Sequence, residues 1–341
     1  MSTSRILCKW PEPYESGILS GNMMAKRLRV KGTMSNITEK YGTPLGDVTV
    51  ERPVSGKPHQ GKVLAAIQAH ADDIPLFCAG AIAKLLDEGY TGYLIQTTND
   101  EKCGPTKSLG ETILSNEREV EELARVLGLQ DAFFLGYRNH FMDEASVTEL
   151  RARLVFLFRA LKVDTVFTFN PWGHDEENPD HYVTGHAVEA ARWMAGMNKD
   201  YPEHAAAGLA PHFVRERYYW VVRPGQPCNR VVDVSAQIDR KVAALSVNKA
   251  QGPAGANGSR LRDRLARQGL RLPALDGDDE TADRAYIRLF GLNEYRALGQ
   301  EYGCEYAEAF YVPSAVSFIG AVDHAEVQRH VAQNAVPVKS S

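Results

Sequence analysis

No run of about 18 or more apolar residues occurs anywhere in the chain, so no segment reads as a membrane-spanning helix. The N-terminus lacks a charged flank followed by an apolar stretch and a small-residue cleavage site, which argues against secretion. Cysteine is scarce. Cys8, Cys78, Cys103, Cys228 and Cys304 are scattered without a CxxC pair, so neither a zinc ribbon nor a disulfide framework is suggested and a reducing cytoplasm fits best. An excess of one charge is also missing: 39 basic and 43 acidic residues are mixed along the chain, for a net charge of -4. That balance gives no reason to expect nucleic acid or an anionic membrane, and a small molecule is the expected partner. The first apolar strand ends in AHADD, where a dinucleotide-binding protein would need a GxGxxG turn.

What is present is an ordinary globular composition of 341 residues, 44% hydrophobic and 24% charged, enough for one large α/β domain. Residues 1–60 carry Pro11, Pro13, Pro44, Pro53 and Pro58 and little periodicity, so they read as an extended N-terminal arm suited to drape over the domain or a neighbouring subunit of a homo-oligomer. From Lys62 the pattern changes. VLAAIQAH is a buried strand, and Pro75 to Tyr90 has helical spacing. TGYLIQTTND, AFFLGY and VDTVFTFNP are further strands, alternating with helices at SNEREVEELARVLG, 147–162 and YVTGHAVEAARWMAG. VRERYYWVV and NRVVDVS add two more strands, and a helix runs from Ile238 to about Gln251. This alternation predicts a Rossmann-like, mostly parallel sheet with helices on both faces over residues 61–325. Residues 252–285 read as a C-terminal helical insertion, placed as a lid, and 326–341 as a tail.

Ligand sites in such sheets lie beyond the carboxyl ends of the strands, and two polar clusters fall there. AHADD places His70, Asp72 and Asp73 at a strand mouth, a nitrogen and oxygen mixture that suits zinc or another divalent cation. Judged alone, paired aspartates before a helix cap its dipole. The second cluster, GHDEENPDHYVTGH, adds His174, Asp180, His181 and His186 after the fourth strand. A catalytic zinc takes three protein ligands, so a further ligand from a second strand end is what the first cluster lacks. An aspartate next to a ligand is placed to take a proton from a polarised water.

The strand ending in His-x-Asp-Asp and the later Pro-Asp-His resemble the AHPDD and HPDH motifs of the zinc deacetylase superfamily named after LmbE and PIG-L. Arg118 and Glu121 look like its RxxE helix, LGLQDAFFLGYR like its LG…FLGY segment, DVSAQIDRKVAAL like its stretch after the metal site, and GCEYAEAF like its closing signature. The resemblance covers roughly residues 62–312. It implies His70, Asp73 and His181 as zinc ligands, Asp72 as general base and Arg118 as a substrate contact. Two positions depart from the pattern: Asn178 stands where the family often has His, and Asn139 where it often has an Asp that orients that His.

The expected reaction is zinc-dependent removal of an N-acetyl group from an N-acetylglucosamine-type conjugate. Asn178 would donate to the oxyanion, and Asp72 would both collect the water proton and pass it to the leaving nitrogen. His174 and His140 are the alternative proton donors nearest in sequence, and the Tyr137 to His140 loop, with Asn139 and His140, is expected to line the sugar pocket. His186 is expected to be structural. The rival readings are a metal-dependent amidase for a non-sugar or longer N-acyl substrate and a non-catalytic zinc-containing binding protein.

Overall fold

A computed structural model describes residues 43–104, 108–251, 255–313 and 324–336. In chain order the elements are β1 (Thr43–Glu51), β2 (Val63–Gln68), α1 (Asp73–Phe77), α2 (Ala79–Asp87), β3 (Thr91–Thr98), α3 (Leu109–Leu127), β4 (Asp131–Tyr137), α4 (Val147–Leu161) and β5 (Thr165–Phe169). There follow α5 (Pro179–Ala195), α6 (Glu203–Ala206), β6 (Glu216–Trp220), β7 (Pro227–Asp233), α7 (Ile238–Val247), α8 (Asn257–Arg267), α9 (Asp279–Tyr286), α10 (Asn293–Glu301), β8 (Ala307–Tyr311) and α11 (His324–Asn334).

Eight strands form one sheet in the order β1-β7-β8-β6-β5-β2-β3-β4. All neighbours are parallel except β8, which runs antiparallel to both β6 and β7. Side-chain alternation along β2 explains the layering. Leu64 and Ala66 face one core with α2, α3 and α7, while Ala65 and Ile67 face a second core with α4 and α5. Both faces of the central strands are therefore covered by helices, as the sequence pattern predicts.

Three elements differ from the expectations. Residues 43–51, assigned to an arm, form an edge strand paired with β7; the segment before residue 43 lies outside the described residues. The single helix expected over 75–90 is broken at Cys78. The break lets α2 start afresh with the backbone N–H groups of Gly80 and Ala81 donating to the Glu308 carboxylate, at 3.0 and 2.8 Å. Gly80 is required there, because a Cβ would meet Val234 Cβ at 2.7 Å. Third, GCEYAEAF supplies a strand, β8, whose Glu308 holds the buried Lys241 Nζ at 2.7 Å. The expected insertion at 252–285 contains α8 and α9, which pack on each other, with Ser259 N donating to Asp283 Oδ1 at 2.7 Å; residues 252–254 lie outside the described residues. No helix among the described residues is long and apolar enough to cross a membrane.

Candidate metal centre

The carboxyl ends of β2 and β5 are neighbours in the sheet, and each feeds a polar loop into a helix. From the first loop come His70, Asp72 and Asp73; from the second come Glu176, Asn178, Asp180 and His181. Asn178 caps α5, its Oδ1 accepting from Asp180 N at 3.0 Å, with Pro179 in the first helical position. This cap puts Asp180 and His181 on the first turn, both buried.

Three atoms converge. His70 Nδ1 and His181 Nε2 are 3.0 Å apart, and Asp73 Oδ1 is 3.6 Å from His181 Nε2. Asp73 Oδ2 is occupied by the backbone N–H groups of Ala69 and His70, at 3.0 and 2.7 Å, which fixes the carboxylate and leaves Oδ1 turned to the imidazoles. Each imidazole has a carboxylate behind it. His70 Nε2 is 2.9 Å from Asp180 Oδ2, and His181 Nδ1 is 3.2 Å from Glu176 Oε1, the latter a close ion-pair contact without the alignment of a hydrogen bond.

Carboxylates only accept, so the protonated nitrogen of His70 faces Asp180, and Glu176 favours the same on Nδ1 of His181. The two lone pairs then point at one another and at Asp73 Oδ1. Three acceptors so close repel unless a proton or a metal ion lies among them; without a metal the acids around His70 keep it protonated, and a metal would replace that proton, ligand bonds of about 2.0–2.2 Å giving edges of about 3.3 Å, close to the observed spacing. The residues therefore fit a zinc-like ion, with His70 Nδ1, Asp73 Oδ1 and His181 Nε2 as the ligand set. Phe169 stacks on the His181 ring at 4.2 Å and 17° and fixes its plane.

The protonation pattern reflects this crowding of acids. Burial alone would lower the His70 pKa, but Asp180 first, and then Asp100, Asp73 and Asp72, raise it to about 10. Burial and then Asp73 push the Asp72 carboxyl up to about 7. Asp180 is held below the usual carboxylate range against its burial by His70 first and then by the His140 backbone.

Among the other predicted residues, Asn178 lies at the centre, its Nδ2 3.4 Å from His181 Nε2. The exposed His140 ring sits edge-on to His70, with centroids 6.3 Å apart. Its backbone N–H donates to Asp180 Oδ2 at 2.7 Å, and its φ of 64° is left-handed. Asn139 is fully buried behind the ligands, with Nδ2 donating to Asp180 Oδ2 at 3.0 Å and Oδ1 accepting from Lys102 N at 3.3 Å. It has no atom to offer a sugar, so its place is in holding Asp180 and not in lining the pocket. His174 is exposed, and its backbone oxygen accepts from Gln226 Nε2 at 3.0 Å. Arg118 is exposed on α3 and His186 is exposed on α5.

Three residues with clear roles carried no role in the sequence reading. Asp180 accepts from Asn139 Nδ2, His140 N and Met142 N as well as facing His70. Glu176 backs His181. Asp100, fully buried, accepts from Ala71 N at 2.8 Å and so anchors the His70 loop. For Asp180 a signal existed: a ligand histidine needs an acceptor for its second nitrogen, and the acid preceding His181 was available.

Comparison with known proteins bears on the family and the fold. Residues 65–192 match the PIG-L family, described as GlcNAc-PI de-N-acetylase. The chain is similar to a 1D-myo-inositol 2-acetamido-2-deoxy-alpha-D-glucopyranoside deacetylase of Mycobacterium sp. (strain KMS), with 26% identity over 238 residues, 57% of this chain and 76% of the relative. Among solved structures it is similar to the N,N'-diacetylchitobiose deacetylase from Pyrococcus horikoshii, with a TM-score of 0.58, 23% identity, and coverage of 74% of this chain and 84% of that one. It is also similar to the 4-carboxy-2-hydroxymuconate hydratase GalB from Pseudomonas putida KT2440, with a TM-score of 0.55, 16% identity, and coverage of 75% and 99%. At these identities the two structures speak to the fold alone, and a hydratase on the same fold means that the reaction must be argued from the site.

Proposed function

Since the chain belongs to the LmbE-like/PIG-L deacetylase superfamily, we propose that it hydrolyses the acetamide of an N-acetylglucosamine-type conjugate, releasing acetate and a free amine. The observation that carries this reading is the convergence of His70 Nδ1, Asp73 Oδ1 and His181 Nε2, with Asp72 one residue before Asp73 and electrostatically coupled to it and to His70. Bound by those three atoms, zinc would polarise the acetamide carbonyl and acidify a water.

The remaining work belongs to the side chains. Asp72 takes a proton from the attacking water; a carboxyl whose affinity for protons is raised by burial and then by Asp73 is suited to receive it. The same carboxyl then delivers that proton to the departing nitrogen as the carbon–nitrogen bond breaks. Asn178, whose Oδ1 is consumed by the cap, keeps its Nδ2 group to donate to the carbonyl oxygen as charge develops there. His140, exposed on the rim beside His70, is placed to touch the substrate.

The test is acetate release from a panel of N-acetylated and longer N-acylated amines by the zinc-loaded protein, including N-acetylglucosamine glycosides. Acetate from the glycosides, with little reaction of the longer acyl amides, is the expected result. Stoichiometric zinc with no acetate from any acetamide would overturn the proposal.

A further inference from the structure

The last residue of β2 and its register partner in β3 are both glutamines, Gln68 and Gln96. Both are buried, next to the apolar Ala66, Ile67, Leu94 and Ile95. Buried amides are costly unless their atoms are bonded, and here every one is. Gln68 Oε1 accepts from Ile74 N at 3.1 Å, and Gln68 Nε2 donates to Gln96 Oε1 at 2.6 Å. Gln96 Nε2 donates to the Ala69 carbonyl at 3.2 Å and to Asp100 Oδ2 at 2.8 Å.

The two ends fix which way each amide points. A backbone N–H only donates, and a carboxylate or carbonyl only accepts, so the oxygen of Gln68 faces Ile74 and the nitrogen of Gln96 faces Asp100. The chain of bonds therefore runs one way, from Ile74 through Gln68 and Gln96 to Asp100, and each bond polarises the next.

Between Ala69 and Ile74 lies the loop that carries His70, Asp72 and Asp73. Its remaining backbone groups close on the same set of residues. Ala69 N and His70 N donate to Asp73 Oδ2, Asp73 N donates to the His70 carbonyl at 3.2 Å, and Ala71 N donates to Asp100 Oδ2 at 2.8 Å. Asp100 is itself held in a left-handed conformation, with φ at 51°, and takes a further donor from Gln251 Nε2 at 3.1 Å. Both ends of the ligand loop are thus tied through the amide pair to one carboxylate. Metal–ligand distances tolerate errors of only about 0.2 Å, so the spacing of those ends matters.

We propose that Gln68 and Gln96 are positioning residues for the metal centre. The pair sets the separation between the His70 end of the loop and the first turn of α1, which brings His70 Nδ1 and Asp73 Oδ1 to bear on one ion. The proposal rests on the ligand set of the deacetylase reading but not on the acetamide, so metal binding reads it whether or not acetate is released. A packing role alone would be met by apolar side chains of the same length.

The experiment therefore uses the full chain with Gln68→Met or Gln96→Met. Zinc affinity by chelator competition and the visible spectrum of the cobalt-substituted protein are measured beside a denaturant titration of the metal-free protein. Each variant is expected to bind zinc about tenfold more weakly, the lower end of what is lost when a group supporting a metal ligand is removed, and to shift the cobalt bands. Ile95→Val, beside Gln96 in the strand but facing the other core, is the packing control. It should lower the denaturation midpoint and leave affinity and spectrum unchanged.

Gln96→Met decides the matter should Gln68→Met fail to fold. It leaves the backbone of the loop paired, because Thr98 Oγ1 still donates to the Ala69 carbonyl at 2.6 Å and Asp100 still accepts from Ala71 N. Wild-type affinity and spectrum in Gln96→Met would overturn the proposal and leave the deacetylase reading standing. The expected zinc loss with no acetate from any acetamide does the reverse. A wild type that takes up no stoichiometric metal removes the ligand set and both readings with it.

Discussion

The Nε2 of His70 stands 2.9 Å from the carboxylate of Asp180, on the opposite side of the ring from the nitrogen that faces His181. This contact sets the tautomer of His70 and with it the donor character of Nδ1. Asp180→Asn keeps the volume but removes the charge, and should weaken zinc binding by about 10–100-fold. Competition with a chromogenic chelator measures this, and unchanged affinity would show that the contact has no part in ligation.

Ligands and base should separate cleanly. Asp73→Ala and His181→Ala are each expected to lose stoichiometric zinc, because two remaining ligands cannot hold it against dilution. Asp72→Asn should keep the metal and lose about 10²–10⁴ in kcat. Metal analysis on the purified variants, paired with acetate release, distinguishes the outcomes; full zinc in both ligand variants would rule out the assigned set.

His174 lies exposed and is tied to the fold through its backbone oxygen. If Asp72 moves both protons, His174→Ala should turn over within about twofold of the wild type, while a loss of about a hundredfold would make His174 the donor.

The buried pair of Lys241 and Glu308 is completely enclosed, with both side chains at 0% exposure. Lys241→Met leaves the carboxylate without its counter-charge, at a cost of about 3–5 kcal/mol. Denaturant titration of the metal-free variant reads the loss directly.

Glu51 predicts a pH dependence. Burial would raise its pKa, but Lys84, then Tyr218 and Arg230, hold it below the usual glutamate value. A carboxyl depressed on folding stabilises above its unfolded pKa, and that stability disappears as the pH falls through the folded value. Glu51→Gln should therefore be less stable than the wild type at neutrality and show a flatter decline from about pH 5 to about pH 3. Parallel thermal melts across that range decide it.

The central strands were legible because β2, β3 and β5 are short apolar runs bounded by polar loops. The cluster around His70 and His181 was legible because both lie at strand ends with acids beside them. What escaped depends on distant partners. Nothing local in AEAF shows that Glu308 faces the start of α2, and the break at Cys78 follows from that contact. Edge strand β1 hid in a stretch of prolines and glycines whose pairing with β7 spans well over a hundred residues. Asn139 looked like a pocket residue because it adjoins His140, yet a one-residue step turns it inward to Asp180.

Glu308 also imposes an order of events on biosynthesis. Its carboxylate fixes the start of α2, and through Lys241 it reaches the carbonyls of Pro75 and Leu76, just beyond Asp73. That anchor is made more than 220 residues downstream of the loop it steadies. His70 and Asp73 are therefore synthesised long before this support for α1 and α2 exists, and the support is completed only once β8 has inserted between β6 and β7. Nascent chains ending before Ala307 are therefore expected to compete for zinc less well than the full chain, a difference that chelator competition on truncated chains would read.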